Sequence, residues 1–203
     1  MGRWTALTLA VWVVMLPVAA WPSQPLSRVE IGASAPNFVA MGSDGRQHRL
    51  SDYAGQLVVL EWTSPVCPYT ARKYQAGLLP DIQRRARARG SVWLSIDTAA
   101  PGAAGYLTAR AARARMAKTG ARVTAFLFDP DGTIGRAYGA RTTPGLYVIA
   151  KDGRLAYQGA LDDDPARKSL GGFDYVTASL NDLSFGKPVR VPETRPYGCA
   201  VEY

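Results

Sequence analysis

The chain has 203 residues, 47% of them hydrophobic and 20% charged, which supplies apolar material for one domain with a full-sized core. Its 24 Lys and Arg against 16 Asp and Glu give a formal net charge of +8, much of it in Arg84, Arg85, Arg87 and Arg89 and then in Arg110, Arg113 and Arg115. Both clusters fall in predicted helices without interleaved aromatic residues, so they read as solvated helix faces and argue against a nucleic-acid surface.

Residues 1–20 read as an export signal. Arg3 supplies the positive start, Leu7 to Val18 the apolar stretch and Val18-Ala19-Ala20 a small-residue cleavage site. The apolar run is short for a membrane span. The mature chain is therefore expected to begin near Trp21, in a bacterial periplasm or outside the cell, with no stable membrane insertion. Such a compartment permits a disulfide between the two cysteines, Cys67 and Cys199. Residues 21–30 read as a lead, 31–186 as the folded domain and 187–203 as a Pro-containing tail that carries Cys199.

The domain opens with a predicted hairpin, residues 37–40 and 47–50, around the turn Ser43-Asp44-Gly45. Residues 57–62 read as a buried strand. A helix is expected from Pro68 towards Arg89, with Tyr74, Leu78 and Ile82 on one face and a kink at Pro80. Residues 91–97 form a second apolar strand of parallel-sheet character. An Ala/Arg-rich helix follows over 105–118, ended by Gly120. A third strand, 123–128, leads through the turn Asp129-Pro130-Asp131-Gly132 to a short helix over 134–138. After Thr142-Thr143-Pro144 comes a hairpin, residues 146–150 and 155–159, around Lys151-Asp152-Gly153. Asp162-Asp163-Asp164 reads as a solvated loop, and 172–183 as the last helix. Strands alternating with helices imply a central sheet covered on both faces, mixed because the hairpins add antiparallel strands.

Cys67 stands where the strand 57–62 hands over to a helix N-terminus, in Thr63-Ser64-Pro65-Val66-Cys67-Pro68-Tyr69-Thr70. Unpaired backbone N–H groups and the helix dipole favour a thiolate at such a place. Pro68 suits the first helical position, where its missing N–H has no partner to lose. Read from position alone, Cys67 is either a poised nucleophile or a small buried hydrophobe. Metal chemistry has little support: His48 is the only histidine, and it does not fall in local ligand spacing with the two distant cysteines. No cofactor is expected.

The entry Ala35-Pro36-Asn37-Phe38, the segment Leu50-Ser51-Asp52-Tyr53-Ala54-Gly55, the turn 129–132 and Thr143-Pro144 before a hairpin strand together resemble the thioredoxin-like superfamily. Within it, the chain is similar to the peroxiredoxin-related (AhpC/TSA-related) redoxins. It is most similar to secreted proteins with a single cysteine in the active loop and a C-terminal Tyr-Gly-Cys, here Tyr197-Gly198-Cys199. The resemblance implies an α/β fold, a three-layer α/β/α sandwich with a central mixed sheet and an N-terminal β-hairpin. It implies thiol–disulfide chemistry with Cys67 as nucleophile. Thr70 replaces the resolving cysteine of the Cys-x-x-Cys tetrad, Glu61 matches a buried proton-relay carboxylate, and Pro144 matches a cis-proline beside the nucleophile. Pro68, Tyr69, Thr143 and Pro144 are then the substrate-facing residues. The peroxidatic cysteine of peroxiredoxins corresponds to Thr70, and their active-site arginine to Pro144, so a standard peroxide-reduction site is not assembled.

A lone active-loop thiol can attack a disulfide but cannot release the mixed disulfide by itself. Cys199 is the other thiol of the chain. Three arrangements stay open: a reversible catalytic pair, a permanent staple, or two thiols that each act with an external one. The expected partners are a protein or small-molecule disulfide and an external thiol reductant. Two alternatives accompany this oxidoreductase reading: a low-efficiency thiol peroxidase working through a Cys67 sulfenic acid, and a redox-silent binding module.

Overall fold

The computed structural model describes residues 28–166 and 172–203. The expected export signal lies outside the described residues. Strand β3 (Val58–Trp62) is an interior strand of the sheet, where its parallel and antiparallel halves meet. It pairs in parallel with β4 (Val92–Asp97), and β4 pairs in parallel with β5 (Ala125–Phe128). On the other side β3 pairs antiparallel with β7 (Gly145–Ile149), which turns back into β8 (Leu155–Gly159). The hairpin of β1 (Val39–Gly42) and β2 (Gln47–Arg49) adds antiparallel to β5. The sheet order is thus β2-β1-β5-β4-β3-β7-β8, and a separate two-stranded pairing joins β6 (Thr142–Thr143) to β9 (Cys199–Ala200).

Alternation along β3 divides the apolar side chains between two cores, because successive residues of a strand face opposite ways. Val58, Leu60 and Trp62 pack with Leu94, Ile96, Leu127, Tyr138 and Tyr147. Val59 packs with Trp93, Leu146 and Val148 on the opposite face. That second face is covered by α1 (Pro68–Gln75), α2 (Leu78–Ala88) and α5 (Tyr175–Ser184), through Tyr74, Leu79, Ile82, Val176 and Leu180. The first is covered by α4 (Thr133–Tyr138), through Ile134 and Tyr138, together with Val29 and Phe38. The expected three-layer α/β/α sandwich with a mixed central sheet is the architecture observed. Among the described residues, no helix is long and apolar enough to cross a membrane.

Some boundaries differ from the sequence reading for identifiable reasons. The helix expected to run from residue 68 towards residue 89 is two helices, broken at Ala76–Gly77. Gly77 adopts a left-handed conformation (φ 70°) that an L side chain rarely takes. Pro80 does not break α2, since it sits in the first turn, where the N–H that proline lacks would have had no intrahelical partner. Tyr74, Leu78 and Ile82 share one core as expected. Helix α3 (Ala109–Thr119) starts later than residue 105, at the cap where the Thr108 hydroxyl accepts from Ala111 N–H at 3.2 Å. The Asp162-Asp163-Asp164 loop is not uniformly solvated. Asp162 is buried and accepts hydrogen bonds from the buried Lys73 ammonium at 2.9 and 2.8 Å. Val29, assigned to the lead, is part of the core.

Sheet position predicts mutational cost. Leu60→Ala should lower unfolding free energy by about 2–5 kcal/mol, the range for truncating a fully buried leucine. Val39→Ala, at a residue 46% exposed, should stay within about 0.5 kcal/mol of the parent. Urea midpoints at unchanged slope measure both.

Candidate functional site

Cys67 is the N-cap of α1, with extended backbone (φ −78°, ψ 117°), and Pro68 occupies the first helical position. The turn between β3 and α1 brings this end of the helix against the β6 segment, where the Thr143–Pro144 peptide bond is cis. The Cys67 S–H donates to the Thr143 carbonyl oxygen, with Sγ at 2.9 Å. The sulfur is enclosed: Cys67 is 1% exposed.

Cys199 closes the site from the other side. Strand β9 pairs antiparallel with β6, setting Cys199 opposite Thr143 and Ala200 opposite Thr142. Both cysteines are free thiols, and each shifts the ionisation of the other. They are electrostatically unequal. Burial opposes a Cys67 thiolate. The Cys199 side chain, the Thr143 hydroxyl and the backbone N–H groups of Thr70 and Cys199 outweigh it and bring Cys67 down to about 7. Burial pushes Cys199 the opposite way, and the neighbouring Cys67 sulfur reinforces it, so Cys199 rises to about 11. Cys67 is therefore the first of the two to ionise, with thiol and thiolate both present near pH 7, while Cys199 keeps its proton there.

The other expected site residues divide into two groups. Thr70 is buried, and its hydroxyl has no hydrogen-bond partner among the described residues; its backbone N–H faces the Cys67 sulfur. Thr143 is likewise buried without a formed hydroxyl hydrogen bond, although the hydroxyl is near enough to Cys67 to favour its thiolate. Tyr69 lies beside the tail, its ring 6.0 Å from that of Tyr197 and 4.7 Å from the Arg72 guanidinium carbon. Pro68 is exposed at the rim. Glu61 is fully buried on the α1/α2 face of β3. It accepts from Trp93 Nε1 at 2.8 Å, Ser95 Oγ at 2.9 Å, Gln83 Nε2 at 3.1 Å and Tyr74 OH at 3.2 Å. Burial raises its carboxyl above the ordinary value against these bonds, and none of them comes from Cys67, Thr70 or Cys199. Glu61 therefore belongs to a polar network behind the helix and makes no direct hydrogen bond to a sulfur.

Two carboxylates near the loop escaped the sequence reading. Asp97, at the end of β4, is buried; burial raises it to about 7, opposed by Arg115 and assisted by Glu202. Arg115 Nη1 also donates to the Pro65 carbonyl at 3.3 Å, inside the active loop. A carboxylate ending an otherwise apolar strand was the available signal for Asp97. Glu202 left none, because its place is set by the docking of the tail. Among the described residues no group of histidine, cysteine and carboxylate side chains is arranged to hold a metal ion.

The chain resembles known proteins in both sequence and structure. It is 28% identical to thiol-disulfide oxidoreductase ResA of Geobacillus thermodenitrificans over 129 residues, 63% of this chain and 67% of that one. An uncharacterized conserved protein of Geobacillus kaustophilus has the same fold, with a TM-score of 0.77 at 21% identity over 86% of this chain and 92% of that one. The exposed lipoprotein thioredoxin of Streptococcus pneumoniae gives a TM-score of 0.54 at 25% identity, over 73% of this chain and 100% of that one. Residues 31–158, more than half of the chain and the span from the N-terminal lead to β8, match the AhpC/TSA family, and the chain belongs to that family.

Proposed function

We propose that the protein is an exported thiol–disulfide oxidoreductase in which Cys67 is the nucleophile and Cys199 the resolving thiol. The observation that carries this reading is the placement of the two thiols, Cys67 at the start of α1 with its sulfur on the Thr143 carbonyl and Cys199 on the strand paired with Thr143; the pair is unequal, with Cys67 lowered to about 7 and Cys199 raised to about 11. The similarity to ResA and the expected signal over residues 1–20 support the reaction class and the export.

The chemistry follows from that inequality. The Cys67 thiolate attacks a substrate disulfide, one substrate sulfur leaves as a thiolate, and a mixed disulfide joins Cys67 to the other. Once the Cys67 sulfur is bonded it is no longer an anion, and one cause of the raised Cys199 disappears. Cys199 then gives up its proton more readily and attacks Cys67. A Cys67–Cys199 disulfide forms and the second substrate thiolate departs. The substrate gains two electrons and two protons overall, and an external dithiol restores the protein by the reverse exchange. Thr70 assists through its backbone N–H. Glu61, with Trp93, Ser95, Gln83 and Tyr74, holds α1 and the sheet in register behind the sulfur. Pro68 and Tyr69 form the rim that a substrate meets, and Thr143 and Pro144 the floor.

Replacing Cys67 with serine should reduce disulfide turnover to the uncatalysed level, with the far-ultraviolet spectrum unchanged. Retained turnover in Cys67→Ser would sink the assignment. Titrating the reduced protein by thiolate absorbance should give a step near pH 7 that Cys67→Ser lacks. The sign of the accompanying stability change is fixed by linkage. A thiol lowered from 9.0 to about 7 contributes stability that is complete above pH 9 and lost as pH falls through 7. Cys67→Ser should therefore gain less stability than the parent between pH 7 and 9.

The resolving role has its own measurement. Cys199→Ala removes a donor to the Cys67 thiolate, so the step should move above pH 7. With a disulfide substrate the variant should accumulate the mixed disulfide on Cys67, visible as a mass adduct. An adduct-free Cys199→Ala that still turns over would assign resolution to an external thiol.

A further inference from the structure

The tail that carries Cys199 is fastened along its whole described course. Pro192 and Thr194 pair with Gln158 on β8: Gln158 N–H donates to Pro192 O at 3.0 Å, and Thr194 N–H to Gln158 O at 3.2 Å. The Tyr197 hydroxyl donates to Asp162 at 2.5 Å, and its ring lies 5.4 Å from the buried Lys73 ammonium. Cys199 and Ala200 pair with Thr143 and Thr142, and Val201 N–H donates to Arg141 O at 3.0 Å. Tyr203 ends the strap, with its hydroxyl donating to Ala140 O at 2.6 Å and its ring 4.7 Å from the Arg136 guanidinium carbon.

This docking occupies the extended backbone edge beside the nucleophile. In 141–143 the polar groups that would receive an added strand are already matched to residues 199–201, and a third chain cannot pair there at the same time. The fit is close at one point. A Cβ on Gly198 would stand 2.1 Å from the Thr143 carbonyl oxygen and 2.8 Å from its carbon, both backbone atoms that cannot swing aside. Gly198 also has φ +131°, a conformation that favours glycine. With the strap in place Cys67 is 1% exposed, so an incoming disulfide has no path to its sulfur.

We propose that residues 197–203 are an internal competitor for the protein's own substrate edge, and that this edge, Arg141–Thr143, binds an extended cysteine-containing polypeptide that displaces them. The proposal rests on Cys67 being the thiol that meets substrate. In it the chain's own Tyr197-Gly198-Cys199-Ala200-Val201 defines what fits. The occupant is a strand paired antiparallel to β6, carrying its sulfur opposite Thr143 and a glycine or other slim backbone one residue earlier. Strap and substrate exchange on the same hydrogen bonds. The tail then returns with Cys199 beside Cys67, which places the resolving thiol only after the substrate strand begins to leave.

The test measures access to Cys67 in the reduced full chain. Alkylation by a small neutral reagent is followed by mass spectrometry, and the Cys67 rate is divided by its thiolate fraction. Two substitutions outside the reacting groups loosen the strap. Gly198→Ala forces it off Thr143, and Tyr203→Ala removes one hydrogen bond and one ring–guanidinium contact at its end. Each should raise the corrected rate by about tenfold or more, the population change expected from losing contacts of that size. A synthetic peptide of residues 195–203 with serine in place of Cys199 should then protect Cys67 in the loosened variants, and a scrambled peptide should not.

Unchanged rates in both folded variants would overturn the proposal, as would faster alkylation that the matching peptide fails to slow. Alkylation needs no turnover, so the two readings fail separately. Peptide protection in a protein without disulfide turnover would leave the strand exchange standing and remove the oxidoreductase assignment.

Discussion

Everything at the site depends on one carbonyl. The oxygen of Thr143 receives the Cys67 S–H at 2.9 Å, and the residue that owns it is paired with Cys199 in the β6–β9 ladder. Backbone groups are strong and obligatory hydrogen-bonding partners. A short strand edge next to a helix N-terminus therefore fixes Cys67 and the second thiol relative to each other without any covalent link. The close approach explains why glycine occupies position 198, where any Cβ would collide with that same carbonyl.

The consequence is electrostatic asymmetry between two chemically identical side chains. Cys67 has backbone N–H groups from two elements, the start of α1 and β9, turned towards its sulfur; Cys199 faces a neighbouring anion. A pair of this kind stores one proton and one charge. It does so at a pH where an isolated thiol, with an ordinary value near 8.5, is mostly neutral. Burial alone would have raised both, so the ordering comes from the partners that oppose it: the Cys199 side chain, the Thr143 hydroxyl and two N–H groups outweigh burial at Cys67, whereas the Tyr69 N–H and the Arg72 charge do not outweigh burial and the neighbouring sulfur at Cys199.

Membership of the AhpC/TSA family gives the sheet, the helix that presents Cys67 and the turn before β7. The second sulfur, that of Cys199, arrives from the far end of the chain on β9, beyond the residues 31–158 that match the family.

Local chemistry in the sequence was enough for the elements that depend on neighbours in the chain. The alternation in β3, the Gly120 end of α3 and the placement of Cys67 before Pro68 all follow from short-range rules. The helix break at Gly77 was missed because a proline three residues later offered a louder local signal than a glycine whose importance is its backbone angle. The paired state of Asp162 was invisible for a different reason. Its partner Lys73 is 89 positions away and reaches it only after α1 has packed against the sheet. The same holds for the site: the sequence by itself determined a thiol at a helix start, and a second one near the C-terminus. Only the tertiary structure decided that the two meet, because residues 132 positions apart are brought to one strand edge by the closure of the whole sheet.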